Sequence, residues 1–191
     1  MKIETINNSE NPDMPTIETK TLDHLLDTRT NVVLIDTRFS FEYEGKLFIF
    51  SNNNAFFKAG HIQNSININN PFHLETLFFE YGHMLFSGNF LQKLPELATI
   101  PKKNLESWLK TQNADETNHQ NMLEEPPIII IHCEFSQKRG PKLLRYLRKR
   151  DREINEEHYP NLIYPHIFLL SGGYSTFVKQ FPVKKKNIYN L

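Results

Sequence analysis

One stretch of the sequence reads Ile128-Ile129-Ile130-Ile131-His132-Cys133-Glu134-Phe135-Ser136-Gln137-Lys138-Arg139-Gly140-Pro141. The four isoleucines are typical of a short strand buried on both faces of a parallel sheet, and the central strand is predicted from Ile128 to His132. Residues 140–151 follow as a predicted helix, because Leu143, Leu144 and Leu147 fall on one side of it. A strand that runs through a short loop into a helix predicts an α/β fold.

The rest of the chain continues this alternation of strands and helices. Apolar strands are predicted at 31–36 and 166–170, and a turn followed by a short strand at 60–68. Helices are predicted at 22–26, 73–84, 104–110 and 174–180. Because helices connect the predicted strands, the sequence favours a parallel sheet with helices covering its faces.

Length and composition predict one soluble domain. The chain has 191 residues, with 22 Lys and Arg balanced by 22 Asp and Glu, so its net charge gives no argument for nucleic acid. No apolar run approaches the roughly 20 residues of a membrane helix. A single cysteine excludes an internal disulfide and an all-cysteine metal site, and it suits a reducing compartment.

Polar and irregular segments suggest the domain boundaries. Residues 1–15 are rich in polar side chains and are predicted to be a flexible lead-in. Residues 16–191 are then a single domain, with insertions near 46–59 and 72–125.

Cysteine chemistry is predicted where the central strand ends. Cys133 follows the isoleucine run, and Arg139 stands six positions later. A thiolate at neutral pH needs positive surroundings, which the free N–H groups and dipole of a helix start and one guanidinium supply. The same groups bind a phosphate dianion. We therefore interpret Cys133 and Arg139 as the nucleophile and the phosphate clamp of a cysteine-dependent phosphatase.

Four blocks of sequence resemble the catalytic domain of the M-phase inducer phosphatases, dual-specificity enzymes that activate cyclin-dependent kinases. They are Ile35-Asp-Thr-Arg-Phe-Ser-Phe-Glu-Tyr-Glu-Gly45, Gly60-His-Ile62, His132-Cys-Glu-Phe-Ser-Gln-Lys-Arg-Gly-Pro141, and the segment from Arg148 to Leu170-Ser-Gly-Gly-Tyr174. The resemblance covers most of residues 20–182. It implies a rhodanese-like fold, with a parallel sheet of about five strands and helices on both faces.

The resemblance also implies the roles of the loop residues. Cys133 would form a phosphocysteine intermediate, with Arg139 and Glu134 as the other catalytic residues. Glu134 would be either the general acid or a solvated carboxylate of the loop. The phosphate would lie against Glu134, Phe135, Ser136, Gln137, Lys138 and Arg139. No metal and no organic cofactor is expected.

A protein substrate is implied as well. The partner would be a cyclin-dependent kinase–cyclin complex, docked away from the loop by Lys142, Arg148, Arg152 and Tyr159. Nucleic acid and membrane partners are not expected. A monomer in the nucleus and cytoplasm is expected.

Several interpretations stay open. Lys138 replaces a glutamate of many family members, and Thr37 replaces a second, redox-protective cysteine. An arsenate reductase, a sulfurtransferase or a phosphoprotein-binding scaffold are the alternative functions, although a sulfurtransferase usually has a shorter loop. His132 either tunes the thiolate or orients backbone. For Asp36 and Arg38 structural roles are favoured, and Glu42 and Tyr43 are expected to anchor their turn.

Overall fold

The computed structural model describes residues 3–29, 31–45, 60–80 and 126–186. Its strands are β1 (Thr16–Ile17), β2 (Val32–Asp36), β3 (His61–Ile62), β4 (Ser65–Asn67), β5 (Ile128–His132), β6 (Ile167–Leu170) and β7 (Lys185–Lys186). Its α-helices are α1 (Thr19–Thr28), α2 (Ser40–Glu44), α3 (Pro71–Glu75), α4 (Arg139–Ile154) and α5 (Gly173–Gln180). Each strand and helix predicted within these ranges is present, with ends that differ by a few residues.

Five parallel strands form the main sheet in the order β1-β6-β5-β2-β4, so the isoleucine strand β5 lies at its centre. Strands β3 and β7 form a separate antiparallel pair. In the β2–β5 register Asp36 lies opposite His132, which brings the ends of both strands to one edge of the sheet. The predicted parallel sheet of about five strands is confirmed.

Alternate side chains of β5 enter two different cores, because successive residues of a strand point to opposite faces. Ile129 and Ile131 pack with Leu144 and Leu147 of α4. Ile128 and Ile130 pack in the other core, which also contains the leucines of α1 and Phe177 of α5. Each such buried side chain contributes about 1.5–3 kcal/mol of hydrophobic stabilisation. Helices therefore cover both faces, as predicted.

The segment 3–15 differs from the flexible lead-in that its composition predicts. Met14 is buried in the core beside α4, and Ile6 forms an antiparallel bridge with Thr16. The carboxylate of Asp13 accepts hydrogen bonds from Arg145 at 3.0 and 3.1 Å. Ile3 also packs against the other core, so apolar and polar contacts together hold this polar segment on the domain.

The predicted helix at 73–84 is divided. Helix α3 begins where the Asn70 side chain accepts a hydrogen bond from the N–H of Phe72 (2.9 Å) and Pro71 takes the first position. A wider helical turn, Thr76–Glu80, follows it. The predicted helix at 104–110, the insertion at 46–59 and residues 81–125 of the second insertion lie outside the described residues. The helices that the structure describes all fall short of what crossing a bilayer requires in length and apolar character.

Candidate active site

The loop of residues 133–138 connects the end of β5 to the start of α4 at the edge of the sheet. Cys133 is the first residue of the loop and lies buried at its base, 4% exposed. Within the described ranges, none of the backbone N–H groups of residues 134–138 donates to a protein acceptor. Ser136 has a φ of 56°, a left-handed conformation that is uncommon for non-glycine residues. Unpaired N–H groups in a curved loop form an anion-binding concavity.

Two glycines allow other backbone segments to lie close to this loop. A Cβ atom on Gly140 would stand 3.4 Å from the amide nitrogen of Cys133 and 3.3 Å from Leu169. Gly173 has a φ of 60°, and a Cβ atom there would stand 2.4 Å from the carbonyl oxygen of Cys133. Glycine is therefore needed at the start of α5, where side chains of L-residues would collide with the loop.

The start of α5 holds the loop from the other side. The N–H groups of Tyr174 and Ser175 donate to the carbonyl oxygens of Cys133 and Glu134, each at 2.9 Å. These bonds satisfy two of the free donors at the helix start. They also turn both carbonyl groups toward α5, so the loop's own N–H groups are left for another acceptor.

The guanidinium of Arg139 is held by Glu42, for which the sequence predicted only a role in anchoring its turn. Its Nη1 and Nη2 donate to Oε2 and Oε1 of Glu42 at 2.5 and 3.1 Å. The guanidinium carbon also lies 5.2 Å from the ring centre of Phe39. Burial opposes ionisation of Glu42, but the hydrogen bonds from Arg139 and Phe39 outweigh it and lower the pKa of that carboxyl group. The same contact raises the pKa of Arg139. Both groups are therefore charged at neutral pH.

A buried ionic cluster lies beneath the loop. Arg38 is fully buried, and it donates to Asp36 through Nη2 (2.6 Å) and to the carbonyl oxygen of Gly60 (2.7 Å). It also donates to Oε2 of Glu134 at 3.1 Å and packs over the ring of Tyr174. Burial raises the pKa of Asp36, but His132 and Arg38 outweigh burial and lower it. Asp36 and Arg38 thus have the structural contacts favoured from the sequence.

Glu134 was predicted to be the general acid and a phosphate-binding residue. Its side chain is engaged by Arg38, and a protonated Glu134 would lose part of this ion pair. Its role as an acid stays a prediction, while the contact with Arg38 fixes the position of the loop relative to β2.

His132 lies under the loop with its side chain fully buried. Its Nδ1 is 3.3 Å from the carbonyl oxygen of Cys133, and its Nε2 is 4.0 Å from Oδ2 of Asp36. Burial lowers the pKa of His132 against the attraction of Asp36. The neighbouring backbone is held as well, since the N–H and hydroxyl of Thr37 both donate to the His132 carbonyl oxygen (2.8 and 2.9 Å). These contacts orient the backbone where the loop begins, which is one of the two roles that the sequence left open for His132.

The remaining loop side chains lie in different surroundings. Phe135 and Lys138 are exposed, and Lys138 directly precedes α4. The hydroxyl of Ser136 is buried and forms no hydrogen bond with any described residue, Cys133 included. Gln137 donates to Glu10 of the N-terminal segment at 3.0 Å. The backbone of this loop, more than its side chains, therefore supplies the free donors that an anion would need.

The predicted docking residues lie along α4 and just beyond it. Arg148 is engaged internally, because its Nη1 donates to Asp151 (3.0 Å) and to the carbonyl oxygen of Tyr164 (2.9 Å). Lys142 and Arg152 are exposed, and Tyr159 is 81% exposed. Arg152 lines a cavity of about 590 Å³ on α4 and shares a second one, of about 290 Å³, with Tyr159. The structure thus leaves Lys142, Arg152 and Tyr159 accessible and uses Arg148 to hold the chain after α4.

The contact between Glu42 and Arg139 is the main feature that sequence reasoning missed. Glu42 does anchor its turn, since Oε2 accepts a hydrogen bond from the N–H of Phe39 (2.9 Å), and Tyr43 bonds the Ser65 carbonyl oxygen (2.5 Å). No spacing rule links Glu42 to an arginine 97 positions later. Among the described residues, no group of His, Cys, Asp and Glu side chains could hold a metal ion.

Comparison with known proteins gives consistent matches. The rhodanese-like domain model matches residues 18–180. An M-phase inducer phosphatase of Drosophila melanogaster is 43% identical over 102 residues, 52% of this chain and 19% of that protein. M-phase inducer phosphatase 2 of Rattus norvegicus is 33% identical over 150 residues, 78% of this chain and 17% of that protein.

Among solved structures, an As–Sb reductase from Leishmania major superposes with a TM-score of 0.44 at 17% identity, covering 88% of this chain and 79% of that one. The chain spans less than a fifth of the length of the curated relatives it matches. The matches to the phosphatases confirm the resemblance carried by the motifs.

Proposed function

The chain belongs to the rhodanese-like domain family and is related in sequence to the M-phase inducer phosphatases, and we therefore propose that it is a cysteine-dependent protein phosphatase. The observation that carries the proposal is the arrangement around Cys133. A buried thiol, a guanidinium and five backbone N–H groups that have no acceptor among the described residues meet at the start of a 16-residue helix. This arrangement suits a phosphoryl group that is attacked by sulfur.

The proposed reaction has two steps. The Cys133 thiolate attacks phosphorus in line, forming the S–P bond as the P–O bond to the leaving oxygen breaks. The loop N–H groups and Arg139 stabilise the charge that grows on the equatorial oxygens. Glu134 is the candidate donor of the leaving-group proton. Water then attacks the phosphocysteine, breaks the S–P bond and releases inorganic phosphate and the free thiolate.

The proposed substrate is a cyclin-dependent kinase–cyclin complex carrying inhibitory phosphotyrosine and phosphothreonine, met in the nucleus and cytoplasm. A loop that recognises only phosphate needs contacts elsewhere to select a protein. Exposed Arg152 and Tyr159 beside two cavities, with Lys142 nearer the loop, would provide these contacts. Arginine and tyrosine are typical anchors of protein interfaces. The protein would act as a monomer and without a cofactor.

Turnover of a small aryl phosphate tests the chemistry. We expect the wild type to hydrolyse it and Cys133→Ser to show no turnover while still binding inorganic phosphate. Hydrolysis by the Cys133→Ser variant would refute the mechanism. A wild type that is inactive on the aryl phosphate but reduces arsenate with glutathione and glutaredoxin would point to a reductase, and binding of phosphoprotein without turnover would point to a scaffold.

A second experiment tests docking. Arg152→Ala should reduce dephosphorylation of the phosphorylated kinase complex about tenfold or more and leave hydrolysis of the aryl phosphate unchanged. The control is Lys20→Ala, an exposed residue of α1, which packs on the opposite face of the sheet. Equal effects of both variants, or equal losses on both substrates, would contradict docking at Arg152.

A further inference from the structure

The ion pair between Glu42 and Arg139 uses only part of the arginine. A guanidinium presents five N–H groups: one on Nε and two on each Nη atom. Glu42 accepts one hydrogen bond from Nη1 and one from Nη2, at the end of the group. No acceptor for the Nε–H of Arg139 is present among the described residues. The side edge of the fork, formed by Nε and one Nη atom, is therefore available to a second oxyanion.

The side chain of Glu42 is also held by a contact that does not involve Arg139. Its Oε2 also accepts the hydrogen bond from the backbone N–H of Phe39, just ahead of α2. Helix α2 follows the end of β2, whose register sets Asp36 beside His132. The backbone that follows β2 therefore sets the position of the Glu42 carboxylate. The ring of Phe39 also lies under the guanidinium of Arg139.

We propose that Glu42 is a positioning residue, which holds the end of the Arg139 guanidinium so that its side edge faces the phosphate-binding loop. This inference rests on the proposed phosphatase function for its consequence on turnover. Arg139 would then recognise a phosphoryl group through Nε and Nη while Glu42 stays in place. Because a side chain that is already held loses less rotational freedom on binding, this arrangement raises affinity for phosphate.

The opposite possibility is that Glu42 competes with phosphate for Arg139. The two ideas predict changes of opposite sign. If Glu42 positions the arginine, Glu42→Gln weakens binding of inorganic phosphate, because the amide offers only one oxygen and no charge. If Glu42 competes, the same substitution strengthens binding.

The experiment measures binding of inorganic phosphate by calorimetry in the Cys133→Ser background. It also measures kcat/KM for the aryl phosphate in proteins that keep Cys133. We expect Glu42→Gln to lower both about tenfold, and Glu42→Asp to restore part of the loss. Glu44→Gln removes the same charge from the same helix and should change neither value by more than about twofold. Tighter or unchanged phosphate binding in Glu42→Gln would overturn the proposal, and so would an equal loss in Glu44→Gln.

A double-mutant cycle separates positioning from a general effect on folding. Lysine cannot form a planar fork, so Glu42→Gln should have little further effect in an Arg139→Lys background. Losses that simply add in the double variant would overturn the proposal. Side-chain ¹⁵N NMR gives a readout that does not depend on activity. The Nη signals of Arg139, assigned by their loss in Arg139→Lys, should be protected from solvent exchange in the wild type and lose that protection in Glu42→Gln.

These readouts keep the two proposals apart. A wild type that neither binds phosphate nor hydrolyses the aryl phosphate would refute the proposed function, while the NMR comparison would still test whether Glu42 holds Arg139. Unchanged Nη protection in Glu42→Gln would refute the positioning role even in an active phosphatase.

Discussion

Replacing Gly173 of α5 with alanine should distort the loop of residues 133–138, which lies against the start of that helix. Gly173 has a φ of 60°, and a Cβ atom at this position would stand 2.4 Å from the Cys133 carbonyl oxygen and 2.8 Å from that of Glu134. Both oxygens belong to backbone, so the contact cannot be relieved by rotating a side chain. Either the start of α5 or the loop must move by roughly 1 Å, since real Cβ contacts shorter than 3.0 Å essentially do not occur.

The magnitude follows from the interactions lost. A left-handed conformation costs alanine about 1–2 kcal/mol relative to glycine. The hydrogen bonds from Tyr174 and Ser175 to the loop carbonyl oxygens, worth about 0.5–1.5 kcal/mol each, would be stretched or broken. We expect the free energy of unfolding to fall by about 2–5 kcal/mol, a large part of the total stability of a small domain. A misplacement of about 1 Å at the nucleophile should also reduce kcat/KM about 100-fold.

Gly172 provides a matched control. Its φ is 66°, and a Cβ atom there would stand 2.2 Å from the hydroxyl oxygen of Thr176, a residue of α5 itself. Gly172→Ala should therefore also destabilise the protein, as measured by urea unfolding, but without contact with the loop. At temperatures where both variants are folded, only Gly173→Ala should lose activity on the aryl phosphate. Wild-type kcat/KM in folded Gly173→Ala, or equal losses in both variants, would refute the reasoning.

Three further predictions concern buried groups. Asp151→Asn should lower the free energy of unfolding by about 3–5 kcal/mol. The reason is that the buried carboxylate accepts hydrogen bonds from Arg148 and from the N–H groups of Ile163 and Tyr164. An unchanged midpoint of urea unfolding would contradict this. Burial lowers the pKa of His132 in the folded protein, so as the pH drops the unfolded chain takes up the His132 proton at a higher pH than the folded protein does. The free energy of unfolding should therefore fall below about pH 6.5, by at most about 1.4 kcal/mol per pH unit. The lowered pKa of Asp36 adds a further loss below about pH 4, and urea unfolding that is flat between pH 5 and 6.5 would refute the His132 argument. Long exposure to peroxide should oxidise Cys133 irreversibly and abolish activity on the aryl phosphate. In Thr37→Cys the introduced thiol can form a disulfide with Cys133, so dithiothreitol should restore the activity. Full recovery of the wild-type activity would contradict this.

Much of the fold could be predicted because the signals are local. The alternation of apolar runs and helical patterns identified β2, β5, β6, α1, α4 and α5, and the prediction for β5 matches the structure at both ends. The N-terminal segment shows the limit of composition. Its polar residues predicted flexibility, but Met14 enters one core and Ile3 packs against the other, and these contacts hold the segment on the domain.

The strand, the loop and the helix that carry Cys133 and Arg139 could be predicted from the sequence, because these parts are contiguous and their conformation depends on neighbours in the chain. Which charged side chains form ion pairs, in contrast, depends on how the strands pack in three dimensions. Nothing in a list of 22 basic and 22 acidic residues pairs Arg139 with Glu42 or Arg38 with Glu134. Those contacts arise because β2 and β5 lie side by side in parallel register, so that segments nearly 100 residues apart end at the same edge of the sheet.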